Sequence, residues 1–311
     1  MTTFAADHWR DLLEEKLTAT RSIGGVRVIC CRSSLLVVVS FMASQARIDG
    51  PGTLHHIIIR GIERRAIFRN NRDGAMKAGE PRQMVDMVKT VEISALSQAY
   101  EHWDKQWATE VGRAEWTVPE EDVRQIVPFL RECGVRRVLD LGCGVGRHAV
   151  LLASMGFDVA ALEMSTNGIQ VARRSAEKCG TCIEFCLSAM SSLPYRTGSM
   201  DYVLAWNVIY HGDLSLLGKT LDEIYRVLRP GGVFQATLLS KRNAHFGVGR
   251  ELAKDTWRAE GKEEKSHPHC YLNAREAVIT LEEAGFKVLT LRHAAHSKPD
   301  SYHWHLVARR K

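Results

Sequence analysis

Asp140, Gly142, Gly144 and Gly146 alternate along the run Val138-Leu139-Asp140-Leu141-Gly142-Cys143-Gly144-Val145-Gly146. A carboxylate followed by three glycines is equipped to hold a nucleoside. Glycine lets the backbone turn tightly and approach a ligand with no Cβ in the way. The acid at the strand tip would repel a diphosphate and tolerates a cationic ligand. Glu163 lies 23 residues after Asp140, close to the offset of about 20 at which a carboxylate accepts from ribose hydroxyls. Further along, Trp206-Asn207-Val208-Ile209-Tyr210-His211 gathers ring and amide side chains able to orient a small nucleophile. Eight of the 13 histidines fall between residues 211 and 305.

These residues need particular elements to hold them. The apolar residues before Asp140 form a strand, and Arg147-His148-Ala149-Val150-Leu151-Leu152 opens a helix. Phe157 to Glu163 is a second strand ending in an acid, and Met200 to Asn207 a later strand running into the same region. Strand, glycine turn and helix is how an α/β sheet builds such a site. A dinucleotide fingerprint would put its third glycine at position 147, where the chain has Arg. That departure speaks against a nucleotide-dependent oxidoreductase, the alternative of a different class.

The spacing Asp140-x-Gly142-x-Gly144-x-Gly146 resembles motif I of class I S-adenosylmethionine (SAM) methyltransferases. Four further segments match that family in order: Phe157 to Met164, Ser188 to Tyr195, Met200 to Asn207, and Leu228-Arg229-Pro230-Gly231-Gly232-Val233. Together the matches span about residues 136–240. The resemblance implies SAM as cofactor, and a loop of Asp140, Gly142, Cys143, Gly144 and Gly146 shaping its methionine side. It implies that Glu163 accepts from the ribose and that Met164, Ala189 and Met190 edge the adenine. Many members have Asp where Ser188 or Ala189 stands here, which leaves the adenine amino group to a backbone partner. Trp206 is implied on the cofactor side, with Asn207, Tyr210 and His211 facing the acceptor. The histidine-rich tail is similar to tellurite-resistance-like methyltransferases, which act on small inorganic or thiol-like nucleophiles.

The front of the chain belongs to a different pattern. Residues 46–69 resemble the N-terminus of IS200-type (REP-associated) tyrosine transposases, a likeness that stops near Asp73. His55 and His56 are adjacent, so on a strand they point to opposite faces and cannot share a metal. Residues 1–86 are therefore expected to be a non-enzymatic, poorly ordered extension, with Met84 and Met87 as candidate starts, and residues 87–311 the enzyme. Tyr100 to Trp107 is an aromatic-rich helical segment, read equally well as a lid or as packing. Pro119 to Cys133 reads as a helix, and residues 240–270 as a long polar loop. Loops of that length are functional or disordered.

Composition sets the remaining bounds. Of the formal net charge of +6, residues 1–86 carry +4 and the remainder only +2, so the catalytic part has no basic footprint for nucleic acid. Leu35 to Ala43 is about half the length of a membrane span. Cys179-Gly180-Thr181-Cys182 has no second pair to complete a zinc site, and the eight cysteines are expected as reduced thiols in the cytoplasm. A site from His267, His269, Cys270 and a strand histidine is chemically possible. Its spacing matches no zinc motif, and no metal is expected.

The expected fold is a Rossmann-like α/β sheet of seven strands, mostly parallel with an antiparallel last strand and helices on both faces. The expected activity is in-line methyl transfer from SAM to a small-molecule acceptor, by a monomer or homodimer. A SAM-binding protein without catalysis remains a further alternative.

Overall fold

The structure is a computed structural model that describes residues 98–260, 265–296 and 300–311, and of the first 97 residues the backbone of three strands. These are β1 (Ala19–Ile23), β2 (Val26–Cys31) and β3 (Ser34–Val37), joined in antiparallel order. The expectations for residues 46–73, His55, His56, Met84 and Met87 lie outside the described residues.

Seven strands form the main sheet of residues 137–310. They are β4 (Arg137–Leu141), β5 (Asp158–Glu163), β6 (Ile183–Leu187), β7 (Met200–Ala205), β8 (Leu228–Ser240), β12 (Phe286–Ala295) and β13 (Tyr302–Arg310). Their order in the sheet is β12-β13-β8-β7-β4-β5-β6, with β3 extending it beyond β12. The pairs β4–β5, β5–β6, β4–β7 and β7–β8 are parallel, and β13 is antiparallel to both neighbours. The chain moves from β4 outward to β5 and β6, then returns to place β7 on the other side of β4. That reversal opens a crevice at the carboxyl ends of β4 and β7, where open α/β sheets bind ligands.

Helices cover both faces. In chain order they are α1 (98–108), α2 (Glu110–Arg113), α3 (Glu121–Gln125), α4 (Val127–Glu132), α5 (Arg147–Ser154), α6 (Thr166–Lys178), α7 (Leu214–Val227) and α8 (Ala274–Glu283). Alternation along the strands divides the core in two. Leu139, Leu141, Val203, Ala205, Phe234 and Ala236 pack with Leu217, Ile224 and Leu281 from α7 and α8. Val138, Val159, Tyr202 and Leu204 pack with Val123, Leu130, Ala149 and Leu152 from α3, α4 and α5. Asp140 falls on this second face, buried at 2% exposure.

Three details differ from the sequence reading. The helix expected over Pro119–Cys133 begins at Glu121 and breaks at Ile126, because Pro128 has no N–H for the ladder. Pro230-Gly231-Gly232 has the composition of a turn, yet the segment is already strand, and a register shift between Met200 and Tyr202 absorbs it. The polar stretch 240–270 holds β9 (Arg250–Ala253), β10 (Thr256–Arg258) and the start of β11 (His269–Leu272). β11 runs parallel to β8 through Tyr271–Leu239 and Leu272–Ser240. α8 starts with Asn273 as its N-cap, which forms a reciprocal capping box with Glu276.

Candidate functional site

From β4 the chain turns through Gly142 and Gly144 into α5. Both glycines hold left-handed backbone, at φ 68° and 53°. A Cβ on Gly142 would lie 2.5 Å from Val208 Cγ2, and one on Gly144 3.2 Å from the Trp107 ring. The amides of Gly142 and Cys143 donate to the Leu162 carbonyl at 2.7 and 3.0 Å. The amide of Gly144 donates to Glu163 Oε2 at 2.8 Å, while Glu163 Oε1 accepts from Met164 and Ser165 amides, each at 2.8 Å. Glu163 thus ties the end of β5 to the glycine loop. Burial pushes its carboxyl up, opposed by the three amides. Its Oε2 takes one of these bonds, and a carboxylate oxygen has room for more than one donor.

Asp140 sits beneath this loop rather than on the pocket wall. Its Oδ2 is buried with no hydrogen-bond partner. Burial pushes the carboxyl up to about 7, against the pull of the Ala149 amide and the Arg147 charge. Gly146 caps α5 and packs where a Cβ would meet Ala172 at 2.8 Å. It serves helix packing and does not line the pocket.

A cleft of about 860 Å³, open mouth included, lies above the loop. Of the sequence-predicted residues, Gly142, Cys143, Gly144, Glu163, Met164, Met190, Trp206, Asn207 and His211 line it. Asp140, Gly146, Ala189 and Tyr210 do not, and Ser188 takes the place expected for Ala189.

The aromatic segment forms the opposite wall. Trp103 and Trp107 of α1 stack with centroids 4.9 Å apart, and Trp116 meets them edge-on at 5.2 and 5.6 Å. Asp104 anchors α1 to the start of α6: its Oδ1 accepts from Ser165 Oγ at 2.7 Å and the Asn167 amide at 3.0 Å. Trp116, Arg147 and His148 were missed as lining residues. Arg147 pairs with Glu120 at 3.1 Å and sits over Trp116. His148 Nε2 accepts from the Glu120 amide at 3.1 Å. Both stand in the first turn after the glycine loop, the one sequence signal that could have flagged them.

The third wall follows β7. Asn207 holds left-handed backbone at φ 59°, a conformation Asn tolerates better than most residues and one that clusters at functional sites. Thr237 Oγ1 secures it, accepting from the Asn207 amide at 2.8 Å and donating to Oδ1 at 3.0 Å. The Asn207 carbonyl in turn faces His211 Nε2 at 3.0 Å. Burial, aided by the Lys265 charge, holds the His211 ring at about 3. Tyr210 lies behind, its hydroxyl 3.5 Å from His303 Nε2.

Three buried histidines meet beside this wall. His211 Nδ1 is 3.0 Å from His269 Nε2 and 2.9 Å from His267 Nε2. One nitrogen from each of the three lies within 4.8 Å of the other two, close enough that the group could hold a metal ion. The sequence reading named His267 and His269 for such a site, with Cys270 and a strand histidine. The structure supplies His211 instead. Cys270 is buried, its thiol pushed up to about 12. His305 bonds to Asp122, away from the triad.

A family model described as a methyltransferase domain matches residues 138–232. A putative methyltransferase of Geobacillus sp. (strain WCH70) is 34% identical over 190 residues, covering 51% of this chain and 76% of that protein. A ubiquinone biosynthesis O-methyltransferase of Methylocella silvestris is 34% identical over 119 residues, covering 37% of this chain and 45% of that protein. The chain spans about half the length of the first curated relatives it matches. Among solved structures, 1,6-didemethyltoxoflavin-N1-methyltransferase of Burkholderia thailandensis superposes with a TM-score of 0.52 at 19% identity, covering 76% of this chain and 93% of that one. That similarity is one of fold.

Proposed function

Since the chain belongs to the class I SAM-dependent methyltransferases, we propose that it moves a methyl group from SAM to a small-molecule acceptor held at the His211 end of the cleft. The observation that carries this reading is the Glu163 carboxylate, buried yet on the cleft wall and locked to the glycine loop by the Gly144 amide. Its acceptor-only chemistry suits ribose hydroxyls, and Met164, Ser188 and Met190 give an edge for adenine. SAM supplies an electrophilic methyl on a sulfonium that is already a good leaving group.

The protein's task is then to position, because bringing the nucleophile close and aligned supplies most of the rate. Asn207 and His211 would orient the acceptor, with Tyr210 supporting His211 from behind. Trp103, Trp107 and Trp116 would act as a lid that keeps water from the reacting atoms. The histidine-rich surroundings favour a small acceptor such as an oxyanion or a thiol.

No helix among the described residues is long and apolar enough to cross a membrane. The described cysteines carry no disulfide, which supports our assignment to the cytoplasm. We expect a monomer or homodimer with no nucleic-acid partner. The test is an acceptor screen with purified protein and methyl-labelled SAM, across tellurite, selenite and small thiols. Acceptor-dependent release of S-adenosylhomocysteine (SAH) is the expected result. Tight SAH binding with no turnover on any acceptor would leave a binding protein without catalysis.

A further inference from the structure

The proton positions in the histidine group decide what it is for. His211 Nε2 faces the Asn207 carbonyl at 3.0 Å, and His269 Nδ1 faces the His267 carbonyl at 2.7 Å. A carbonyl only accepts, so both of these nitrogens carry the proton. The opposite nitrogens, His211 Nδ1 and His269 Nε2, are then bare lone pairs in the neutral rings. They point at each other across 3.0 Å. His267 Nε2 could donate to His211 Nδ1, but one proton there still leaves the His269 lone pair opposed. All three rings are buried, at 7%, 1% and 0% exposure for His211, His267 and His269.

Two bare nitrogens held face to face among buried rings repel each other, and a positive charge between them would relieve that repulsion. From this geometry we propose that His211 Nδ1, His267 Nε2 and His269 Nε2 bind a divalent transition metal of the zinc class. Zinc binds imidazole nitrogen at about 2.0–2.1 Å, which separates two tetrahedral ligands by roughly 3.3 Å. The His211–His269 and His211–His267 pairs, at 3.0 and 2.9 Å, need to part by only a few tenths of an ångström. The two carbonyls that fix the tautomers are the outer hydrogen bonds that metal-bound histidines characteristically make.

Three neutral ligands leave the metal its full charge and an open position, as in catalytic zinc sites. His211 is the ligand that lines the cleft, so the metal would stand beside the acceptor end. His102 and Trp103 of α1 cover the group at 5.2 Å from His267 and 5.8 Å from His211. A dication held by three neutral imidazoles favours an anionic fourth ligand.

The acceptor class follows, and this step rests on the methyl-transfer reading. The acceptor would bind the metal as a thiolate or oxyanion, giving its proton to solvent on binding. Its lone pair then forms the new bond to the methyl carbon as the carbon–sulfur bond breaks, and that electron pair stays on sulfur.

The test uses the full chain, stripped with chelator and titrated with Co²⁺ and Zn²⁺. One equivalent should bind with a Kd of micromolar or below, and Co²⁺ should give the intense visible bands of four- or five-coordinate cobalt. H269A should weaken binding at least a hundredfold, and H245A, outside the group, should not change it. Absence of Co²⁺ bands in the folded wild-type chain would overturn the proposal, leaving a shared proton between the rings. A parallel SAH titration separates the two ideas. SAH binding without metal refutes the metal site alone, and metal binding without SAH refutes the cofactor reading alone.

Discussion

Glu163→Gln separates the carboxylate's charge from its shape. In the native chain three amides at 2.8 Å converge on it, two on Oε1 and one on Oε2. Glutamine keeps a carbonyl oxygen that can accept from Met164 and Ser165. Its amide nitrogen then replaces Oε2 and faces the Gly144 N–H, donor against donor. One hydrogen bond to a charged group is lost, worth about 1.5–3 kcal/mol, and relief from burying the charge offsets part of it. The expected net destabilisation is about 1–2 kcal/mol by urea unfolding. SAH affinity should fall as well, since the same edit removes an acceptor from the cleft wall and loosens the glycine loop. A loss of about 1–3 kcal/mol corresponds to roughly 5- to 150-fold in Kd, readable by calorimetry. Unchanged SAH affinity in a folded E163Q protein would refute the ribose assignment. Unchanged stability would refute the role of Glu163 in holding the loop.

Asp140→Asn should change how stability depends on pH. The folded carboxyl sits at about 7 and the unfolded one at 3.8, so between those values the unfolded chain releases its proton first and the native chain loses stability as pH rises. About 3 units amount to roughly 4 kcal/mol at most, so the urea midpoint of the wild type should fall relative to D140N between pH 4 and 7.5. A constant difference across that range would show that Asp140 is not held protonated. Gly142→Ala should destabilise by more than about 2 kcal/mol, because left-handed backbone alone costs alanine about 1–2 kcal/mol and the new Cβ would press on Val208. Adding V208A should recover part of the loss; strict additivity in the double variant would contradict the contact.

What the sequence revealed was local. The glycine loop, Glu163 and the tip of β7 are contiguous motifs, and the structure brings them to one cleft at the strand-order reversal. Asp140 was legible as part of the motif, but not its burial beneath the loop, which depends on the α5 face that covers it. The histidine group was illegible as a unit. His211 and His269 are 58 residues apart, and they meet because β11 runs along the end of β8 and a backbone bridge joins the two residues. Residues 240–270 read as a polar loop since β9 and β10 are short strands with little apolar alternation. Trp116 stands alone in a single 3₁₀ turn, and only the stacking with Trp103 and Trp107 makes it part of the wall.

The most direct test of the cofactor assignment is the structure of the full chain bound to SAH. The ribose hydroxyls should lie within hydrogen-bond reach of Glu163, the adenine beside Met164 and Met190, and the sulfur facing Asn207 and His211. SAH bound elsewhere, or with its ribose away from Glu163, would contradict the assignment.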